Sequence, residues 1–529
     1  MNSATAHPLI AALQDARLYD HPVGRFSVLE THISWVLLTG FYAYKIKKPV
    51  DFKFADFSTL EQRRHYCQEE LRLNRRFAPE LYVDVIPITG SMHRPRLAGQ
   101  GEPIEYAVKI REFPQEALLS HLAARGKLTA SHVDELATTL AASHGQLPPA
   151  APGSPFGDPQ QIHHWSQQNF THIKPGLKES ADLCALSRLR TWVDEEFGCR
   201  RGQLTARKDQ GFIRECHGDL HLGNLVLLEG HVVPFDCIEF NEQLRWIDVM
   251  SEVAFTVMDL RDRGYPTLSC RFLSRYLERT GDYAGLGVLR YYLVYRALVR
   301  AKVAMLRMAE VEGGGPQEEA IWREYRSYLK LAVSFSRERR RGLVITHGVS
   351  GSGKSTVAAQ LVESLGAILI RSDVERKRLY GFAPQARTHS ALGANVYSPE
   401  ATRLTYERLS VLAARALDLG WPVIIDATFL LRAERDRVRQ LAVGLRVPFV
   451  ILDCRSPERV LRQRVAQRVE GGERVSEAGT EVLAQQLQTE QPLQEGERGY
   501  CVSVDTQQAL DANALAQVID ERLRPSTGL

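Results

Sequence analysis

The chain carries no cysteine framework. Its 8 cysteines stand singly, none in a Cys-x-x-Cys pair, which argues against a disulfide scaffold or a zinc site and fits a reducing compartment. No uninterrupted apolar run is long enough to span a bilayer. The opening Met1-Asn2-Ser3-Ala4-Thr5-Ala6-His7-Pro8 has no basic start leading into an apolar stretch. These absences predict a soluble cytoplasmic protein without a membrane partner. Charge of one sign is also scarce: the formal net charge is +4, too small to demand a polyanionic partner. Nucleic acid is therefore not expected as an obligate partner, and the local run Arg337-Glu338-Arg339-Arg340-Arg341 reads as a solvated linker. There is no internal repeat and no low-complexity tract. What remains is ordinary globular composition, 44% hydrophobic and 25% charged. At 529 residues the chain exceeds what one core organises, so roughly two or three domains are expected.

Periodicity divides the chain. Up to about residue 112, short apolar runs (Ser27 to Thr31, Trp35 to Leu38, Tyr42 to Lys47, Val83 to Ile88, Glu105 to Arg111) read as strands. Alternation on the third run puts Lys45 and Lys47 on one face and Tyr44 and Ile46 on the other. A helix is expected over Ser58 to Phe77, with Ser58 as N-cap and Glu61 closing a capping box. Residues 114–335 are mostly helical, broken by a strand-loop-strand segment at Phe212 to Asp236 and by the loop Gly313-Gly314-Gly315-Pro316. Beyond the linker, five β-rich runs alternate with helices: Leu343 to Thr346, Ala367 to Ile370, Pro422 to Ile425, Phe449 to Leu452 and Cys501 to Val504. Such alternation implies a parallel sheet covered on both faces. The expected boundaries are 1–335, a basic linker at 336–341, and 342–529.

The second region carries the most specific motif. Gly348-Val349-Ser350-Gly351-Ser352-Gly353-Lys354-Ser355-Thr356 fits Gly-x4-Gly-Lys-Ser, after a strand and at the start of a helix. Glycines let successive amides converge on a phosphate, and the helix N-terminus adds a favourable dipole. Lys354 would neutralise β- and γ-phosphate charge, and Ser355 would ligate Mg²⁺. Asp373, at the end of the second strand, is placed to deprotonate an acceptor hydroxyl or to cap the following helix. Asp426 ends the third strand, where a carboxylate can serve the Mg²⁺ shell. Arg464 and Arg468 share a helix face and suit either a lid over the phosphates or a solvated basic surface. With Asp373-x-x-Arg376, these pieces resemble small P-loop kinases related to polynucleotide kinases and zeta-toxin-type kinases, over roughly residues 340 to 525. The resemblance implies ATP-dependent transfer to a hydroxyl and leaves the acceptor open, with Gly381 to Ser398 the stretch expected to meet it.

A second signature lies upstream. His217-Gly218-Asp219 followed by Asn224 reproduces the spacing His-x-Asp-x4-Asn of kinase catalytic loops. Asp219 would take the acceptor proton, Asn224 would hold Mg²⁺, and Asp236, after a hairpin turning at Glu229-Gly230, would be the second Mg²⁺ ligand. Such a site also needs a strand lysine paired with a helix glutamate: Lys45, with Lys47 as rival, and Glu70, with Glu69 as rival. His-Gly-Asp-x-His-x-Gly-Asn, then Asp236-Cys237-Ile238-Glu239-Phe240-Asn241 and Ile247-Asp248-Val249, resembles the aminoglycoside-phosphotransferase-like kinases over roughly residues 25 to 335. The resemblance implies that Asp248 braces the catalytic loop. No Gly-x-Gly-x-x-Gly precedes Lys45.

The order of the two regions resembles bacterial proteins described as bifunctional phosphotransferase and ATP-binding proteins. The expected fold is thus an α+β two-lobed protein-kinase-like domain followed by an α/β P-loop NTPase domain with a five-stranded parallel sheet. Three functional readings stand: two ATP- and Mg²⁺-dependent kinases acting on small-molecule hydroxyls, one P-loop kinase governed by a sensing N-terminal half, or a nucleic-acid end kinase.

Overall fold

The computed structural model describes residues 7–524 except 52–55, 310, 312–314, 338–339, 385, 387–395, 397 and 471–478, with backbone alone at 468–470. It falls into two compact units. The first comprises Met1–Glu135, Gln146–Trp165 and Arg201–Asp259; the second comprises Leu136–Gly145, Ser166–Arg200 and Leu260–Leu529.

The first unit is built on a six-stranded antiparallel sheet: β1 (Ser27–Glu30), β2 (Ser34–Leu38), β3 (Tyr42–Lys47), β4 (Tyr82–Ser91), β5 (Arg94–Leu97) and β6 (Pro103–Arg111), in the order β1-β2-β3-β6-β4-β5. Alternation on β3 works as the pattern requires. Tyr44 and Ile46 enter a core with Trp35 and Leu37, and both lysines of the other face meet Glu70 of the helix Leu60–Asn74. That helix is capped one residue later than expected. Thr59, not Ser58, accepts from the Gln62 amide, and Gln62 Oε1 accepts the Thr59 amide in return. Strand β5 was not foreseen because Arg94-Pro95-Arg96-Leu97 has no apolar alternation; charge and proline suit an edge strand.

Two small ribbons complete this unit. β7 (Ile213–Glu215) pairs with β10 (Trp246–Asp248), a three-residue strand too short to announce itself. β8 (Leu225–Leu228) and β9 (His231–Pro234) form the expected hairpin. Glu229 and Gly230 both have positive φ, 49° and 87°, as a tight two-residue hairpin turn demands.

The second unit contains five parallel strands, β11 (Leu343–His347), β12 (Ile368–Arg371), β13 (Val423–Asp426), β14 (Phe449–Arg455) and β15 (Cys501–Asp505), ordered β12-β13-β11-β14-β15. Helices Lys354–Leu365 and Ala512–Arg522 supply Leu361, Val362 and Ile519 to a core with Val344, Ile424 and Leu452. Cys270, from the upstream helix Pro266–Thr280, is buried in the same core. Among the described residues, no helix is long and apolar enough to cross a membrane. All 8 cysteines are free thiols.

One ion pair fixes the loop leaving β13. Arg435, 1% exposed, donates to both oxygens of Glu497 at 2.6 and 3.0 Å and to the carbonyls of Phe429, Leu430 and Gln491. Phe429 itself sits at φ 46°, a conformation a non-glycine residue holds only when its surroundings compel it. Arg435→Ala leaves Glu497 buried without its partner, so unfolding free energy should fall by about 3–5 kcal/mol. Urea denaturation measures this; an unchanged midpoint would refute the role.

Candidate active sites

At the first site two lysines, Lys45 half-buried and Lys47 buried, share one buried carboxylate. Lys45 Nζ lies 2.9 Å from Glu70 Oε1 and 2.5 Å from Asp236 Oδ1. Lys47 Nζ lies 2.7 Å from Glu70 Oε2 and also pairs with Glu239. Burial alone would protonate Glu70, yet the Lys45 and Lys47 charges outweigh it and pull its pKa down to about 2. For Lys45, burial favours the neutral amine, but Asp236 and Glu70 prevail and raise its pKa. Glu239 is pushed up by burial. The structure separates the rivals: Lys45 is the lysine that reaches Asp236, whereas Lys47 is enclosed against Glu239. Glu69 faces away, toward Arg72 and Arg245.

The loop after β7 carries the other expected residues. Asn224 Nδ2 donates to Asp219 O and Oδ2 at 3.0 and 3.1 Å, and His221 Nε2 lies 3.4 Å from Asp219 Oδ2. His217 Nε2 lies 2.7 Å from the Phe235 carbonyl, and its Nδ1 accepts from the Asp219 amide at 3.3 Å. Burial lowers the His217 pKa, so the neutral ring donating from Nε2 fits both contacts. The Phe235 amide returns to Asn224 O at 3.0 Å, which ties Asp236 to the loop. Asp236 sits at φ 64°, and the Tyr82 hydroxyl accepts its amide at 3.1 Å. Asn74 Oδ1 accepts the next amide, from Cys237, at 2.9 Å. Tyr82 and Asn74 escaped sequence reading because they lie about 150 residues upstream of what they hold.

Asp248 does not brace this loop. Its carboxylate pairs with Arg207 at 2.7 and 2.8 Å and accepts the Met250 amide. Bracing falls to Glu252, which accepts the Gly218 amide, and to Asp259, which accepts the Leu222 amide, each at 2.8 Å. One helix, Val249–Asp262, presents both.

At the second site Gly348, Gly351 and Gly353 all have positive φ. A Cβ at Gly348 would lie 2.6 Å from the Cys454 carbonyl and one at Gly351 2.9 Å from the Leu461 carbonyl, so the loop admits only glycine there. Lys354 is buried and donates to Val349 O at 2.7 Å and toward Ser352 Oγ at 3.4 Å. The Ser350 amide donates to Gln486 Oε1 at 2.7 Å. Ser355 and Thr356 open the helix Lys354–Leu365.

Parallel pairing of β12 with β13 sets Arg371 opposite Asp426, with Arg371 Nε 3.4 Å from Asp426 Oδ2. Asp373 lies in the first turn of the helix Ser372–Leu379; the cap position is taken by Arg371, so Asp373 is no N-cap. Burial opposes the Arg371 charge, but Glu278, Asp426 and Asp373 outweigh it and raise its pKa. Arg376 is buried and donates to Val396 O and Thr402 Oγ1 at 3.0 and 3.1 Å. Arg464 donates to Thr506 O at 2.7 Å and to Gly351 O at 3.3 Å. The Arg468 side chain and most of the expected acceptor stretch lie outside the described residues, as do Gly313 and Gly314 of the inter-helix loop. A cavity of 390 Å³ opens beside the loop, lined by Gly353, Thr356, Gln360, Arg464, Gln467 and Thr506 among others. A metal ion fits both donor sets chemically: an aspartate with an amide oxygen (Asp236, Asn224), and a strand-end aspartate with a helix-start hydroxyl (Asp426, Ser355).

Residues absent from the sequence expectations cluster past Asp426. The Tyr406 hydroxyl is 3.2 Å from Thr428 Oγ1 and accepts the Phe429 amide at 3.2 Å. Beside it, burial pushes Glu434 up to about 7. Arg376 acts electrostatically on both Tyr406 and Glu434.

The fold and the loop define the second unit's sheet as that of a P-loop domain, in which a glycine-rich turn between β11 and a helix is shaped for phosphate. Residues 343–493 match the family model of the AAA domain. Along most of its length the chain is similar to the uncharacterized protein Rv2004c of Mycobacterium tuberculosis and its Mycobacterium bovis counterpart Mb2027c. Each is 29% identical over 467 residues, covering 88% of this chain and 90% of theirs. Similar solved structures include an amicoumacin kinase in complex with AMP-PNP, which is 12% identical with a TM-score of 0.38 and covers 62% of this chain and 96% of its own. A gluconokinase from Sinorhizobium meliloti is 24% identical with a TM-score of 0.24, covering 35% of this chain and 91% of its own.

Glu434 gives a pH signature. Its folded pKa lies near 7 against an ordinary 4.5, so the stability it confers is complete below its unfolded pKa and is lost as pH rises through the folded one. The melting temperature of Glu434→Gln should therefore gain on wild type between pH 4.5 and 7 and then run parallel to it. A constant difference across that window would show that the group titrates normally.

Proposed function

We propose that the protein is a bifunctional ATP-dependent kinase, transferring γ-phosphate to hydroxyl groups of small molecules at two independent sites. What supports this is that each unit carries a lysine, an aspartate at or just past a strand end and a further aspartate suited to act as base. In one, Lys45 is paired with Asp236, with Asp219 on the loop after β7. In the other, Lys354 lies on the phosphate loop, with Asp426 and Asp373 at the ends of β13 and β12. At the first site Lys45 exchanges its bond to Asp236 for the nucleotide's phosphates while Glu70 keeps it oriented. Asn224 and Asp236 would hold Mg²⁺, which when bound neutralises phosphate charge. Asp219, oriented by Asn224, accepts the proton of the attacking hydroxyl.

At the second site the amides of residues 350–355 wrap the phosphates, and Lys354 gives up its bond to Val349 O to reach them. Ser355 and Asp426 would hold Mg²⁺. Asp373 is the base, and Arg376 with Tyr406 and Glu434 lines the approach of the acceptor. The 390 Å³ cavity next to Thr356 takes the nucleoside, with Arg464 across it. A cluster of one arginine, one phenol and one carboxyl suits a compact hydroxylated molecule better than a polyanionic strand, which argues against the nucleic-acid reading.

One observation favours a second reading, in which the first site senses nucleotide or metabolite and controls the second. The turn between β1 and β2, where a kinase of this shape covers the phosphates, reads Thr31-His32-Ile33 and has no glycine.

ADP release across a library of hydroxylated metabolites, with Mg-ATP, separates the two. Asp219→Ala and Lys354→Ala should each abolish turnover of a different acceptor by about 100-fold or more, leaving the other intact. Loss of every signal with Lys354→Ala, and none with Asp219→Ala, would overturn the bifunctional assignment and leave a single regulated kinase.

A further inference from the structure

The helix Pro266–Thr280 lies more than 60 residues before the phosphate-binding strand, yet its last turn reaches the edge of the P-loop sheet. Glu278 Oε1 lies 2.9 Å from Arg371 Nη1, and Glu278 Oε2 lies 3.0 Å from Arg275 Nη1. The Glu278 carbonyl accepts from Arg378 Nη2 at 2.6 Å. Arg371 in turn places Nε 3.4 Å from Asp426 Oδ2. The three side chains form a line, Glu278 to Arg371 to Asp426, with exposures of only 10%, 15% and 5%. Independent contacts fix the helix in place. Cys270 is buried in the sheet's core, Arg271 pairs with Glu363 of the loop's own helix at 2.9 Å, and the Tyr283 hydroxyl lies 3.5 Å from Leu369 O. The helix ends at Gly281 in the left-handed conformation, where a Cβ would collide with the Arg378 guanidinium at 2.7 Å.

Arg371 is one cation placed between two nearly buried carboxylates. While Glu278 shares it, Asp426 is only partly neutralised and keeps negative charge to attract another cation. Without Glu278, the guanidinium is left with the pair to Asp426 and the further charge of Asp373, and a buried arginine draws such a paired carboxylate in tightly. We propose that Glu278 is a positioning residue of the P-loop site, contributed by the segment upstream of it, which divides the charge of Arg371 so that Asp426 can serve a divalent cation. This rests on the reading of the second unit as an Mg²⁺-dependent nucleotide site. It goes beyond that reading in making the site incomplete within residues 342–529: the helical segment is part of the P-loop machinery rather than a neighbour.

The test uses the full chain carrying Asp236→Asn, so that the first site no longer contributes an Mg²⁺-dependent signal. ADP affinity is measured by fluorescence titration with a labelled ADP, in EDTA and across an Mg²⁺ series. Glu278→Gln should raise the Mg²⁺ concentration needed for tight binding by about 10- to 100-fold, as loss of a residue that orients a metal ligand does, while ADP affinity in EDTA stays unchanged. Glu278→Asp should fall between the two. Arg271→Gln, which loosens the same helix at its pair with Glu363, should lower the melting temperature without moving the Mg²⁺ requirement. An Mg²⁺ requirement unchanged in Glu278→Gln, or a loss equal in EDTA and in Mg²⁺, would overturn the proposal. So would an Mg²⁺ shift in Arg271→Gln as large as that in Glu278→Gln or Glu278→Asp. Where Glu278→Gln does not fold, Glu278→Asp alone decides by the same criteria. The underlying reading fails separately, and visibly, if the Glu278 parent binds no ADP that Lys354→Ala abolishes.

Discussion

A charge taken out of water must find a counter-charge, and this requirement organises both halves of the molecule. Glu70 has no exposed side-chain surface, so it can remain ionised only because two ammonium groups stand against its two oxygens. Those ammonium groups sit two residues apart on β3, where strand alternation delivers both to the same face. Lys47 is then held by Glu239 and Lys45 by Asp236. The position of Asp236 thus follows from a network of balanced charges rather than from the local preference of its backbone, which at φ 64° is unfavourable for a residue with a side chain. Removing Lys47 would leave Glu239 buried and unpaired, whereas Glu70, Lys45 and Lys47 each keep one partner when the other is lost.

The P-loop half meets the same requirement differently. Lys354 is satisfied by a carbonyl and a hydroxyl of its own loop, so the phosphate site carries a built-in substitute for its ligand. The Ser350 amide is likewise occupied, by Gln486. Lys45 at the first site has an acidic substitute in Asp236. On the proposed reading, ligand binding at each site would exchange one partner of the lysine for another, so that its charge stays paired.

Arg371 extends that logic across a boundary that is visible in composition but not in packing. The basic stretch near residue 340 looks like a divider between domains, yet Cys270, Arg271, Glu278 and Tyr283, all upstream of it, belong to the same compact unit as the parallel sheet. A parallel sheet must be covered on both faces, and here part of the cover comes from the preceding helical region.

The sequence alone determined what depends on local spacing. The glycines of the phosphate loop, the alternation that sets Lys45 beside Lys47, the turn at Glu229-Gly230 and the five β-rich runs are each dictated by backbone geometry within a few residues, and each is found where the pattern puts it. Spacing could not say which of Lys45 or Lys47 reaches Asp236, that Thr59 rather than Ser58 caps its helix, or that Glu252 and Asp259, not Asp248, hold the loop after β7. Nor could it reveal Tyr82, Asn74 or Glu278, whose partners lie between about 90 and 165 residues away. Those contacts are selected by burial: a chain far from a charge in sequence becomes its neighbour only when folding excludes the water that would otherwise solvate it. Local chemistry wrote the two loops, and only tertiary packing decided which side chains keep their charges in balance.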